Sequence, residues 1–257
     1  MNKITKAFEG KKAFIAFITG GDPDIETTEK LILAMAKAGV DIIEIGIPFS
    51  DPVAEGTVIQ EADERALTNG CTVDKLFDMV KRVREKVTIP LLFMSYINPI
   101  FVYGKERFMQ KCSQCGIDGV IVPDLPFEEK DEIAAECAKY GITQISMVAP
   151  TSQERIESIT KDAHGFIYCV SSLGVTGIRS EINMDIAEMI KQVKTTSAIP
   201  CAIGFGISTP EQARDMAAVS DGIIIGSAIV KLVAEYGKEC VEPVVHFVRR
   251  ISDAVNV

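Results

Sequence analysis

Histidine is nearly missing from this chain: its 257 residues include only His164 and His246, far apart in sequence. Two such residues leave no material for a His-based catalytic triad or a His-ligated metal centre. An excess of positive charge is missing too. With 27 Lys and Arg against 36 Asp and Glu, the net charge of −9 offers no general field for nucleic acid or anionic lipid. An anionic substrate therefore has to be held by a local device. No apolar stretch reaches the ~20 residues of a membrane span. Met1–Gly10 (MNKITKAFEG) is polar and lacks the apolar run of a signal peptide. The expectation is a soluble, cytoplasmic protein with neither membrane nor nucleic acid as partner. The seven cysteines form an odd, scattered set, which reads as reduced thiols. Cys112 and Cys115 have CxxC spacing but no second pair and no nearby histidine. They read as a structural pair at a helix end, and no metal site is expected. No Pro/Ser-rich linker or shift in composition divides the chain, so one domain over residues 1–257 is expected.

What the chain does have is rhythm. β-branched runs recur at Ala13–Thr19, Asp41–Gly46, Ile89–Met94, Gly119–Val122, Ile142–Ala149, Gly165–Val170, Cys201–Gly204 and Gly222–Ile225. Between them, segments such as Thr28–Ala38, Val73–Lys86, Phe127–Tyr140 and Ile182–Val193 repeat apolar residues at helical spacing. Eight strands alternating with helices predict parallel pairing and a closed (β/α)₈ (TIM) barrel. The runner-up is an open doubly wound sheet. It lacks its glycine fingerprint, because Thr19–Asp24 reads TGGDPD. Asn2–Phe8 is placed as an extra N-terminal helix capping the barrel floor, and Glu239–Ala254 as a closing helix.

The second run, Asp41–Gly46 (DIIEIG), holds a carboxylate where a packed barrel wants a branched apolar residue. If Ile43 and Ile45 face the helices, alternation turns Glu44 inward, at the strand end where barrel enzymes work. Partial burial would raise its pKa toward neutrality and suit it to general acid/base work. The alternative is a glutamate solvated at the rim. The loop after it, Ile47–Gly56, adds Asp51 and Glu55 between prolines, and on residue type alone these read equally well as solvated loop charges.

Glycine-bearing turns follow the sixth, seventh and eighth runs: GVTG at 174–177, GFGIS at 204–208 and GS at 226–227. Such turns let backbone amides approach an anion, and the last two stand where barrels of this kind bind phosphate. Ser227 opens a helical segment, Ala228–Glu235, so its hydroxyl could cap the helix or bind phosphate. Lys and Arg are absent from these turns, so the cradle would be mainly backbone.

With these pieces in place, the chain resembles the tryptophan synthase α-subunit family. The most specific match is Ile43–Gln60, IEIGIPFSDPVAEGTVIQ. Supporting segments are FITGGDP (17–23), VPDLP (122–126), YCVSSLGVTG (168–177), GFGI (204–207) and GSAIVK (226–231). The resemblance implies retro-aldol cleavage of indole-3-glycerol phosphate to indole and glyceraldehyde 3-phosphate, with no cofactor on this chain. It gives Glu44 the proton transfers and the loop-two carboxylate the indole N–H. That carboxylate is usually the Asp of an ADG triplet; here the triplet is AEG and the role falls on Glu55, one methylene longer, with Asp51 as an alternative. The same resemblance sets Tyr168 against Glu44 or the substrate and Phe17 and Phe205 about the indole ring, with Ile224 among the substrate-lining residues. It assigns phosphate to Gly177, Gly206, Gly226 and Ser227.

Residues 172–183 would form a lid, with Thr176 reaching the loop-two carboxylate. The usual lid arginine is replaced by Ser172. The implied partner is a pyridoxal-phosphate β subunit in an α2β2 tetramer, faced by Asp51, Pro52, Tyr96 and Asn98-Pro99. Aromatic Tyr96, Phe101 and Tyr103 near the barrel mouth suit such an interface. Asp124 reads as structural. A phosphosugar isomerase would share the cradle but needs an electrophilic His or Lys at the strand ends, which the sequence does not offer. A non-catalytic scaffold would have no use for Glu44.

Overall fold

The computed structural model describes residues 2–170, 184–204 and 206–256. Nine strand segments form one parallel sheet: β1 (Ala13–Thr19), β2 (Ile42–Gly46), β3 (Leu91–Met94), β4 (Gly119–Ile121), β5 (Thr143–Gln144), β6 (Ser146–Val148), β7 (Ile167–Val170), β8 (Cys201–Gly204) and β9 (Gly222–Ile225). The sheet order runs β5-β4-β3-β2-β1-β9-β8-β7-β6. Its two ends are consecutive pieces of one predicted run, separated by Ile145 alone, whose amide donates to the Val120 carbonyl at 2.9 Å. The ring therefore closes, and the chain folds as a TIM barrel. The fifth barrel strand is split because β5 pairs with β4 while β6 pairs with β7.

Around the ring lie α1 (Lys3–Lys6), α2 (Ile25–Lys37), α3 (Thr57–Thr68), α4 (Val73–Arg84), α5 (Ile97–Tyr103), α6 (Lys105–Cys115), α7 (Asp131–Tyr140), α8 (Ile156–Lys161), α9 (Met184–Thr196), α10 (Pro210–Val219), α11 (Ser227–Tyr236) and α12 (Val241–Val255). Local signals start several of them. Asp24 accepts the Thr27 amide at 2.7 Å at the head of α2, and Thr209 and Gln212 form a capping box on α10. Apolar stripes then bury Leu31, Ile32 and Met35 of α2 and Leu76, Val80 and Val83 of α4 against the outer face of the sheet.

The strand period of two sorts side chains into layers. Ile43 and Ile45 pack outward with the helices. Inward, one residue from each barrel strand builds a ring: Ile15, Ile42, Leu92, Ile121, Ile145, Phe166, Ala202 and Ile224. Below it, Ile4 of α1 enters the same cluster and is 1% exposed. The N-terminal helix thus plugs the floor, with Asn2 accepting the Thr5 amide at 2.9 Å as its cap. Burying one isoleucine this way stabilises the fold by about 2–3 kcal/mol. Stepping two residues up each strand from the ring gives Phe17, Glu44, Met94, Pro123, Met147, Tyr168, Gly204 and Gly226. This layer lies at the C-terminal strand ends. The seven cysteines are buried free thiols, and Cys112 and Cys115 close α6. Among the described residues no helix is long and apolar enough to cross a membrane.

Candidate active site

Glu44 has no solvent exposure, and among the described residues neither of its carboxylate oxygens has a hydrogen-bond partner. The rim alternative does not hold. An ionised carboxylate there would lack compensation, so burial, with the Glu55 charge adding to it, pushes its pKa from 4.5 to about 8. At pH 7 the acid form then outnumbers the carboxylate by about ten to one. Parallel register sets Glu44 beside Phe17.

Loop two folds down over this layer. The Tyr96 hydroxyl accepts the Ala54 amide at 2.8 Å, and Gln60 donates to the Glu55 carbonyl at 2.8 Å. Glu55 is thereby held half-buried at the head of α3, and burial raises its pKa to about 7 while the Tyr96 side chain pulls the other way. Glu55, Phe17, Ile59, Met94 and Tyr96 line one cavity next to the strand ends. Tyr168 stands close enough to Glu44 and Glu55 that, after burial itself, their charges push its phenol well up. A Cβ built on Gly204 would lie 2.6 Å from the Tyr168 ring. Glycine is what lets the ring lie flat across β8. Phe17 uses the same device on both sides, since a Cβ at Gly46 would meet its ring at 2.7 Å and one at Gly226 at 3.1 Å.

Ile224 belongs to the inner ring at 4% exposure, beneath the site layer. The cradle residues that are described sit apart from the carboxylates by element: Gly206 follows β8 with open space where a side chain would be, and Gly226-Ser227 joins β9 to α11. Ser227 is the first helical residue rather than the cap. Gly226 takes the cap position, and no side-chain hydrogen bond is made there. Glycine puts no Cβ between the helix's free amides and a bound anion, so the missing cap leaves those amides available. Thr176, Gly177, Phe205 and the lid segment 172–183 lie outside the described residues. Asp51 and Asn98 are exposed and Pro52 half-buried, with the Ser50 hydroxyl donating to Asp51 at 2.5 Å. Asp124 accepts the Ile97 amide at 2.9 Å at the start of α5, a structural duty. Among the described residues no cluster of His, Cys, Asp or Glu fits a metal ion.

Sequence reasoning missed two buried polar groups. The Thr19 hydroxyl, two residues beyond Phe17, has no partner among the described residues. Asp63 of α3 is 5% exposed and lines the cavity beside Glu55. A broader cleft, lined by Phe8, Lys11, Lys12, Pro200 and Asp221, opens at the opposite, N-terminal end of the strands, away from these groups.

Fold and site together define a TIM-barrel enzyme with a buried carboxyl and a small cavity at the C-terminal face. The model of one family, "Tryptophan synthase alpha chain", matches residues 4–256. A tryptophan synthase alpha chain of Thermoanaerobacter sp. (strain X514) is 49% identical, spanning 99% of this chain and 100% of the relative. One from Lacticaseibacillus casei is 46% identical over 100% and 96%. Among solved structures, tryptophan synthase subunit alpha from Legionella pneumophila superposes with a TM-score of 0.90 at 36% identity, covering 99% and 98% of the two chains. A chain of the tryptophan synthase α2β2 complex of Pyrococcus furiosus does so at 0.88 and 35%, covering 94% and 98%. This chain belongs to the tryptophan synthase alpha chain family.

Proposed function

We infer that this protein cleaves indole-3-glycerol phosphate to indole and glyceraldehyde 3-phosphate, a lyase step of tryptophan biosynthesis. The observation that supports it most is Glu44: a carboxyl fully buried, without a hydrogen-bond partner among the described residues, and held in its acid form at the mouth of the barrel. Cleavage needs a proton at indole C3 before the carbon–carbon bond can break. Glu44 as the acid supplies it, and the ring becomes a C3-protonated indoleninium. Glu44, now the carboxylate, takes the proton of the side-chain hydroxyl next to C3. As that oxygen forms its carbonyl, the electrons of the C3–carbon bond return to the ring and restore indole. The proton count closes, and Glu44 ends as it began. Glu55 accepts the indole N–H, whose acidity rises in the indoleninium. Phe17, Ile59 and Met94 supply the apolar slot for the ring, with Phe205 on its other side and Tyr168 beside Glu44. Gly206, Gly226 and Ser227, together with Gly177, hold the phosphate through backbone amides at the α11 end.

The reaction needs no cofactor on this chain. The partner is a pyridoxal-phosphate β subunit in an α2β2 assembly, met by Asp51 and Pro52 of loop two and Asn98 of α5. Val53 of loop two and Val102 of α5, each 81% exposed, with Phe101 of α5, 45% exposed, give that contact its apolar content. Thr176 and the lid close the site when the partner is engaged, and the enzyme works in the cytoplasm. The test is indole release from indole-3-glycerol phosphate with a β subunit present. Wild type should be active, and Glu44→Gln and Glu55→Ala should lose activity by at least a hundredfold and about tenfold. Full activity in Glu44→Gln would overturn the mechanism.

A further inference from the structure

Asp63 belongs to a helix whose sequence, TVIQEADERALT, gives no reason to single it out. In the structure it is buried, and its carboxyl lines the same cavity as that of Glu55. Glu55 directly precedes Gly56, the N-cap of the helix that carries Asp63. No lysine or arginine among the described residues forms an ion pair with either group. Arg65, two residues along α3, is committed by both guanidinium arms to Asp22, at 2.9 and 2.8 Å. The other groups that face Asp63 are Asp22 itself on the β1 loop, the Phe49 backbone amide on loop two, Tyr96 and Cys71. None of these supplies a cation. Beneath loop two, fully buried Glu44 feels the Glu55 charge, and among the described residues its oxygens have no hydrogen-bond partner.

Two carboxyls in one cavity of low polarity do not ionise together, and the stable state is one proton between them. We propose that Asp63 is a positioning residue for Glu55: it keeps the shared proton and donates it as a hydrogen bond, leaving Glu55 the charged member, aimed at the indole N–H. The proposal deepens the function argued above and rests on it. Burial and the Glu55 charge, in that order, raise Asp63 to about 7, in keeping with a proton retained at neutral pH. A charge-assisted O–H···O⁻ bond is short and directional. It gives the longer glutamate side chain a fixed end, which a catalytic group needs to within about 1 Å.

The test follows indole release by the full-length chain with its β subunit from pH 5.5 to 9, for wild type, Asp63→Asn, Asp63→Leu and Glu55→Gln. Asparagine still donates to Glu55 and, like the protonated Asp63, carries no charge. Its kcat should fall only a few-fold, with the acid limb of the profile within about half a pH unit of wild type. Leucine donates nothing, so kcat should fall about tenfold or more with KM changed less than threefold, and the acid limb should move up by about one pH unit. Infrared spectra of the substrate-free chain at pH 6 should show a protonated-carboxyl band that Asp63→Asn diminishes, whether or not the leucine variant folds. An acid limb that moves down in Asp63→Asn, as if a charge had been removed, or an undiminished band, overturns the proposal. Those results beside an active wild type and a crippled Glu55→Gln would leave the lyase reading intact. A wild type that releases no indole would remove both.

Discussion

Replacing Glu44 by glutamine should make the protein more stable and inactive at once, and the gain should grow with pH. In the unfolded chain the carboxyl titrates near 4.5; in the fold burial lifts it to about 8. Between those values the folded state holds a proton that the unfolded state has released, so folding stability falls as pH rises. The contribution is whole below pH 4.5 and spent above pH 8. Glutamine is neutral in both states and escapes this loss. The interval corresponds to about 5 kcal/mol at most, and to about 3 kcal/mol at pH 7. Part of the gain is offset because the amide is itself polar and meets the same empty surroundings. Urea unfolding of both proteins at pH 5 and pH 8.5 measures the difference. Glu55 and Asp63 titrate in the same range, but they are present in both proteins and largely cancel. The expected outcome is near-equal midpoints at pH 5 and a clearly higher midpoint for Glu44→Gln at pH 8.5. A gap that is the same at both values would refute the claim that the wild-type carboxyl is neutral because it is buried.

Gly204→Ala should push the Tyr168 ring off β8, since the new methyl would stand 2.6 Å from it. Overpacking of this kind costs about 1–3 kcal/mol, read as a lower urea midpoint, and indole release should fall with it. Val102→Asp, at a position 81% exposed, should leave the midpoint of the isolated chain within about 0.5 kcal/mol of wild type. The same change should weaken β-subunit binding at least tenfold by titration calorimetry.

How much of this was legible in the sequence depended on whether one element fixed the answer. Glu44 was legible because its direction follows from period two and two isoleucine neighbours. The barrel was legible because its strands read as β-branched runs bounded by turns. The break in the fifth strand was not. It arises where the segment changes partners at Ile145, and no residue type marks such a point. Asp63 was hidden for a different reason. In α3 its neighbours Gln60, Glu61, Glu64 and Arg65 are polar, and the buried face is made of Ala62, Asp63 and Ala66. The helix stripe is too thin to see, and Asp63 becomes interior only once loop two has folded across it. The cap at α11 was misplaced by one residue because Ser is a common cap type, whereas here a glycine occupies the position and the serine starts the helix.

The isoleucine of the N-terminal helix also governs traffic. With Ile4 seated under the ring of eight, the barrel is a cup and not a tube. Among the described residues, a product formed above that ring passes upward by the loop carrying Val53 and the helix carrying Phe101 and Val102. An oily molecule released there meets an oily rim before it meets water. The stopper at the bottom thus gives departure a direction, and whatever docks on the rim is the first to receive what leaves.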